Sequence, residues 1–183
     1  MSGDPGPEAL SETRRWLERL VIGLNLCPFA AAPYRQERIA YTVSDAEAPE
    51  AIYLAFLGAL QSLVEADPRE QETALLILSR GLRSFDDYLD MLALCEQALV
   101  EAGLEGRVQV ASFHPDYRFA DAPQDDPANF TNRSPFPMFH LIREDGLAAA
   151  LESYPDPAQI PERNMRRLRA LGIAGIRALL DAD

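Results

Sequence analysis

Apolar positions along this chain follow two rhythms. Trp16, Leu17, Leu20, Val21 and Leu24 recur at three- and four-residue intervals, which predicts a helix over residues 8–26. Gly23 and Asn25 weaken its end and Pro28 limits it. Tyr53, Phe56, Leu57, Leu60, Leu63 and Val64 predict a second helix over 48–66, with Asp45 as its cap and Pro68 as its stop. Leu89, Leu92, Cys95, Leu99 and Val100 predict a third, opened by Ser84 with Asp86 and Asp87 in its first turn and closed by Gly103. Between the helices lie short β-branched or continuously apolar runs at 38–43, 73–79, 107–113 and 138–143, which read as strands. The run at 73–79 is apolar almost throughout, as expected of a strand covered on both faces. A short helix at 144–152 and a last one from Pro161 to about residue 180 complete the pattern.

The order β-α-β-α-β predicts an α/β fold with a parallel core and right-handed crossovers. A fourth strand joins it after a long loop, and helices stand at both termini. Residues 1–7, rich in Gly, Pro and Asp, are expected to fray. Residues 8–183 have the length of one domain with a substantial core.

Composition narrows the partners. The net charge of -12 argues against a nucleic-acid or anionic-membrane partner, both of which need a cationic surface. It leaves room for a local basic pocket that binds a small anion. No apolar run is long enough to span a bilayer. The opening MSGDPGPEAL has neither the basic nor the apolar region of a signal peptide, so the expected location is cytoplasmic. Two cysteines, Cys27 and Cys95, are too few for a disulfide framework and are expected as thiols.

Residues 113–144 break the rhythm. They hold both histidines, His114 and His140, and crowd together aspartates, arginines, asparagines and aromatic rings. A long structureless connection is usually functional or disordered, and the aromatic content argues against disorder. If the sheet is parallel, the loop over 114–137 begins at the carboxyl end of its third strand, where α/β folds bind ligands. Its five prolines reduce the entropy lost on ordering it.

Within it, His114 is the candidate general acid/base, because imidazole titrates near neutral pH. Asp116 stands two residues on to orient it; a ring that only hydrogen-bonds loop backbone is the alternative. Arg133, with Asn129, Asn132, Ser134 and Tyr117, offers the donors that suit a carboxylate or phosphate. The alternative is that Arg133 pairs with the loop's own aspartates. Arg163 and Asn164 lie in the first turn of the last helix, whose free N–H groups favour anions, though such charges often serve only a solvated face. His140 shares a strand face with Met138 and Ile142 and reads as a buried, hydrogen-bonded core residue.

Cys27 has two readings. At the end of the first helix its pKa rises and it is inert. As the N-cap of a short helix from Pro28, its thiolate is favoured. Cys95 belongs to a helix's apolar stripe. No P-loop, dinucleotide fingerprint or Gly-x-Ser-x-Gly elbow occurs, so no cofactor is indicated. No Cys-x-x-Cys or His-Glu-x-x-His occurs either. A metal site would have to be assembled from Cys27, His114, His140 and loop carboxylates.

Five patches, LNLCPF (24–29), SFHPDY (112–117), NFTNRSP (129–135), HLIRE (140–144) and IPERN (160–164), together resemble an uncharacterised bacterial family, domain of unknown function 1415. The resemblance covers nearly the whole chain and implies that the five patches belong to one pattern. It implies no activity, substrate or cofactor. The residues themselves point first to an enzyme acting on a small anionic metabolite through His114, with Cys27 as nucleophile or redox thiol. A metal-binding protein and a non-catalytic ligand-binding or interaction module are the other classes.

Overall fold

The computed structural model describes residues 5–152 and 154–182. The expected fraying of residues 1–7 falls outside these for Met1–Asp4, while residues 5–7 already belong to α1 (Pro5–Trp16). The helix widens its hydrogen bonding into a π-turn over Leu17–Ile22 and stops at Gly23. A Cβ at Gly23 would sit 2.3 Å from the Arg19 carbonyl oxygen, so only glycine allows the chain to turn away there.

The remaining elements are α2 (Ala31–Arg35), β1 (Ile39–Ser44), α3 (Pro49–Glu65), β2 (Thr73–Leu78), α4 (Phe85–Glu101), β3 (Val108–Phe113), β4 (Met138–Arg143), α5 (Glu144–Glu152) and α6 (Ile160–Asp181). Short 3-10 turns lie at Pro127–Thr131 and Pro157–Gln159. Ser84 caps α4 by accepting from the Asp87 N–H (3.4 Å). Asp45 does not cap α3. That helix starts from Ala48 without a side-chain cap, because Pro49 has no N–H to satisfy and already holds a helical φ.

The fold is α/β, with a mixed four-stranded sheet in the order β1-β2-β4-β3. β1 and β2 are parallel, and β4 runs antiparallel to both β2 and β3. The first three strands therefore point the same way, but β4 occupies the slot between β2 and β3 that an all-parallel core would leave closed. Burial explains the insertion. Every residue of β2 is buried, as are Met138, Phe139 and Leu141 of β4, so these two take the centre. β1 and β3, with mostly half-buried positions, form the edges.

Helices cover both faces. Ile52, Phe56 and Leu63 of α3, with Tyr88, Met91 and Cys95 of α4, pack on Leu76, Leu78, Phe139 and Leu141. Trp16, Leu17 and Leu20, with Leu168 and Ile176 of α6, pack on Leu75, Ile77 and Met138. Successive strand residues thus face opposite layers, as their alternation requires. Residues 114–137 lie over the carboxyl edge of β2 and β3. The Leu78 N–H reaches the Pro137 carbonyl (2.9 Å), and Asp126 pairs with Arg169 of α6 (2.7 Å). Among the described residues no helix is long and apolar enough to cross a membrane.

Candidate functional site

The loop's polar side chains are used on the loop itself. His114 is fully buried; its Nδ1 accepts from the Asp116 backbone N–H (3.0 Å), so its Nε2 carries the hydrogen and donates to the Leu82 carbonyl (2.9 Å). Burial lowers its pKa, against the opposing pull of the Leu82 carbonyl and the Asp116 charge. Neither nitrogen is left open for a substrate, and Asp116 orients the ring through its backbone instead of its carboxylate. Asn129, also fully buried, accepts from the Phe119 N–H (3.1 Å) and donates to the Pro123 carbonyl (2.8 Å). Asn132 donates to the Ser112 carbonyl (3.0 Å) and Ser134 to that of Phe136 (2.6 Å). The ring of Tyr117 packs between Phe85 and Phe119. A segment without a ladder must satisfy its buried backbone groups by other means, and these side chains do so.

Arg133 also turns inward in part. Its Nε donates to the Tyr117 carbonyl (2.9 Å), its Nη2 to that of Gln124 (2.6 Å), and its guanidinium lies over Phe130. It meets carbonyls, not the loop's aspartates. Its outer edge lines an open depression of about 500 Å³ with Arg15, Arg177, Glu12, Asp116 and Asp181.

A second cavity, of about 340 Å³, lies on the α1/α6 side of the sheet, over Ile39, Thr73, Leu75 and Ile142. Trp16, Leu17 and Val21, residues from Cys27 to Pro33, and Leu147 of α5 complete its walls. It brings together two residues that the chain separates widely, Cys27 and His140.

Cys27 fits neither reading as stated: the first helix stops at Gly23, and α2 begins only at Ala31 with Ala30 as its N-cap. Cys27 precedes a turn, closed by the Ala30 N–H on the Cys27 carbonyl (3.2 Å), that runs into α2. The Phe29 and Ala30 backbone N–H groups nearby pull its pKa down. These two contacts favour the thiolate, but burial outweighs them and the thiol's pKa is raised. Cys95, packed under α4, is pushed up to about 12 by burial.

His140 is hydrogen-bonded, as a core histidine should be, but it is only partly buried. The Thr73 hydroxyl donates its one hydrogen to the Leu141 carbonyl (2.6 Å), so in its contact with His140 the ring Nε2 is the donor. Nδ1 is then an acceptor that no described group engages. Burial lowers the His140 pKa to about 4, so the ring is neutral around pH 7.

The expected anion ligands of α6 serve the same cavity from behind. Arg163 donates to the Asn25 carbonyl (3.0 Å) and to the Tyr154 hydroxyl, and buried Asn164 donates to the Leu26 carbonyl (2.6 Å). Tyr154 in turn meets Phe29 edge-on, with ring centroids 5.6 Å apart. IPERN thus holds LNLCPF in place beside HLIRE, while SFHPDY and NFTNRSP assemble the loop at the other edge. His140 and Thr73 are the site residues that the sequence reading missed. A histidine on a strand face has the same pattern whether a cavity or a side chain lies above it. Among the described residues no three of His, Cys, Asp and Glu converge as a metal site would require.

No curated protein and no solved structure matches this chain. The family model described as "Protein of unknown function (DUF1415)" matches residues 8–178, and the chain belongs to that family.

Proposed function

We propose that this protein is a small-molecule enzyme in which Cys27 is the nucleophile and His140 its general base, and that it transfers an acyl group through a thioester on Cys27. The observation that carries this is the shared cavity: a thiol and an imidazole with an unengaged Nδ1 line one mostly apolar chamber. As the sulfur bonds to the acyl carbon, Nδ1 takes the thiol proton and passes it to the leaving group. Water then attacks the thioester and gives its proton to Nδ1, which returns it to the departing sulfur. With both groups neutral at rest, the base acts during the attack and no resting ion pair is needed. The free state of both cysteines supports a cytoplasmic setting, and the charge of -12 supports a small molecule over a nucleic acid.

Activated esters test this by intact mass and peptide mapping. One acyl group is expected on Cys27, with Cys95→Ser unaffected and His140→Ala slowed at least about a hundredfold, the low end for losing a general base. Acylation at another residue, or an unchanged rate in His140→Ala, would sink the reading.

The Arg133 depression carries a second reading, an anion-binding site. Arg15 and Arg177 line it and form no ion pair with a described residue. Inorganic phosphate should raise the melting temperature of the protein and not that of Arg177→Ala; equal shifts in both would remove this reading.

A further inference from the structure

We infer that the Cys27–His140 cavity selects uncharged, apolar acyl groups and rejects anionic ones. The inference rests on the proposed acyl-transfer function and names its substrate class. It departs from the anionic metabolite to which the loop residues point.

The walls carry the argument. Leu17, Val21, Ile39, Leu75, Ile142 and Leu147 surround the chamber. Two charged residues border it, and both are engaged elsewhere. Glu72 is paired with Arg38 (2.8 Å). Arg143 spends its guanidinium on carbonyls, donating to those of Leu63, Ala66 (2.8 Å) and Gln71 (3.2 Å), which closes the end of α3. A ligand carboxylate entering here would lose its water and find no charged partner to replace it. The same burial that strips water from the cavity raises the Cys27 pKa and lowers that of His140. A volume of about 340 Å³ lies at the small end of the ~300–1,000 Å³ typical of small-molecule sites. That volume has ample room for an isobutyryl or a benzoyl group beside the thiol.

The wall on the α5 side is the one open to redesign. No residue of α5 is buried, so Leu147 contributes to the cavity and little to the core. An arginine at 147 would supply the missing counter-charge.

The test compares p-nitrophenyl isobutyrate and benzoate with p-nitrophenyl hemisuccinate, which carries a free carboxylate. Cys27 acylation rates are each divided by the rate with N-acetylcysteine, to remove intrinsic reactivity. The two neutral esters should lead the anionic one at least about tenfold, and Leu147→Arg should narrow that gap at least about fivefold. Normalised rates within twofold of each other in the unaltered protein, or a lead for hemisuccinate, overturn the inference; this comparison stands even if Leu147→Arg does not fold. The two levels fail differently. Acylation that depends on His140 but shows no preference removes only the selectivity. Absence of Cys27 acylation by all three esters, or indifference to His140→Ala, removes the acyl-transfer reading and the selectivity with it.

Discussion

Tyr88 shows how much one side chain decides in this fold. It is fully buried, and its hydroxyl donates to the Met138 carbonyl (2.8 Å) while accepting from the Phe113 N–H (2.9 Å). It thus joins the end of β3 to the start of β4, where the long loop leaves and returns. Tyr88→Phe keeps the packing against Phe139 but leaves two buried backbone groups without a partner. A loss of about 1–3 kcal/mol is expected in urea unfolding; a change below the error of the fit would show that water or backbone shifts replace the hydroxyl. Nothing in the helical stripe marks Tyr88 for this role, since a stripe shows which residues are buried and not what their polar ends reach. The histidines make the same point. Their places after β3 and on β4 were legible, but their roles were not. His114 has both nitrogens engaged by backbone, while His140 keeps one open because Thr73, 67 positions earlier in the chain, holds the other.

At the scale of elements, the strands and most helices were legible to within a residue or two, because period, proline stops and the Ser84 cap are local signals; the first helix, expected to reach residue 26, ends at Gly23, and α2 begins at Ala31 instead of Pro28. The exceptions have local causes of another kind. α6 reads as one helix but breaks at Gly172, with φ 69° and ψ 165°. Its second half still carries fully buried Ile176 onto the α1 side of the sheet, and Arg19 donates to the Leu180 carbonyl (3.0 Å). A Cβ at Gly172 would touch nothing within 4 Å, so the cost of Gly172→Ala is backbone strain alone. That φ/ψ pair is accessible almost only to glycine, and about 1–3 kcal/mol should be lost. Thermal unfolding with an unchanged midpoint would mean that the break moves to another residue at no cost.

Across the whole molecule, both histidines are held neutral, with folded pKa values below the ordinary 6.5. A base with a depressed folded pKa is protonated first in the unfolded chain. Stability is therefore complete above pH 6.5 and is lost as the pH falls toward the folded value, about 4 for His140. For His140 the loss is on the order of 3 kcal/mol across that window. His140→Phe should flatten the fall between pH 6.5 and 4 in denaturant titrations; an unaltered slope would contradict the assignment. Asp126, whose pKa is lowered by Arg169, takes effect only below the ordinary carboxylate range, so the two contributions separate on the pH axis.

Although Leu89 and Val100 of the expected α4 stripe are exposed and Tyr88 and Met91 are buried instead, the sequence by itself determined the α/β class, the strands and most helices, and the presence of an ordered loop at 114–137. All of these follow from side-chain burial along short stretches of chain. Tertiary structure alone decided that β4 lies between β2 and β3, and that the loop's polar residues bind the loop. It alone brought Cys27 and His140 to one cavity, with Arg163 and Asn164 behind it. The reason is physical. Strand order and side-chain partners depend on which distant surfaces compete for the same burial and the same hydrogen bonds, and that competition is settled only when the whole chain has packed.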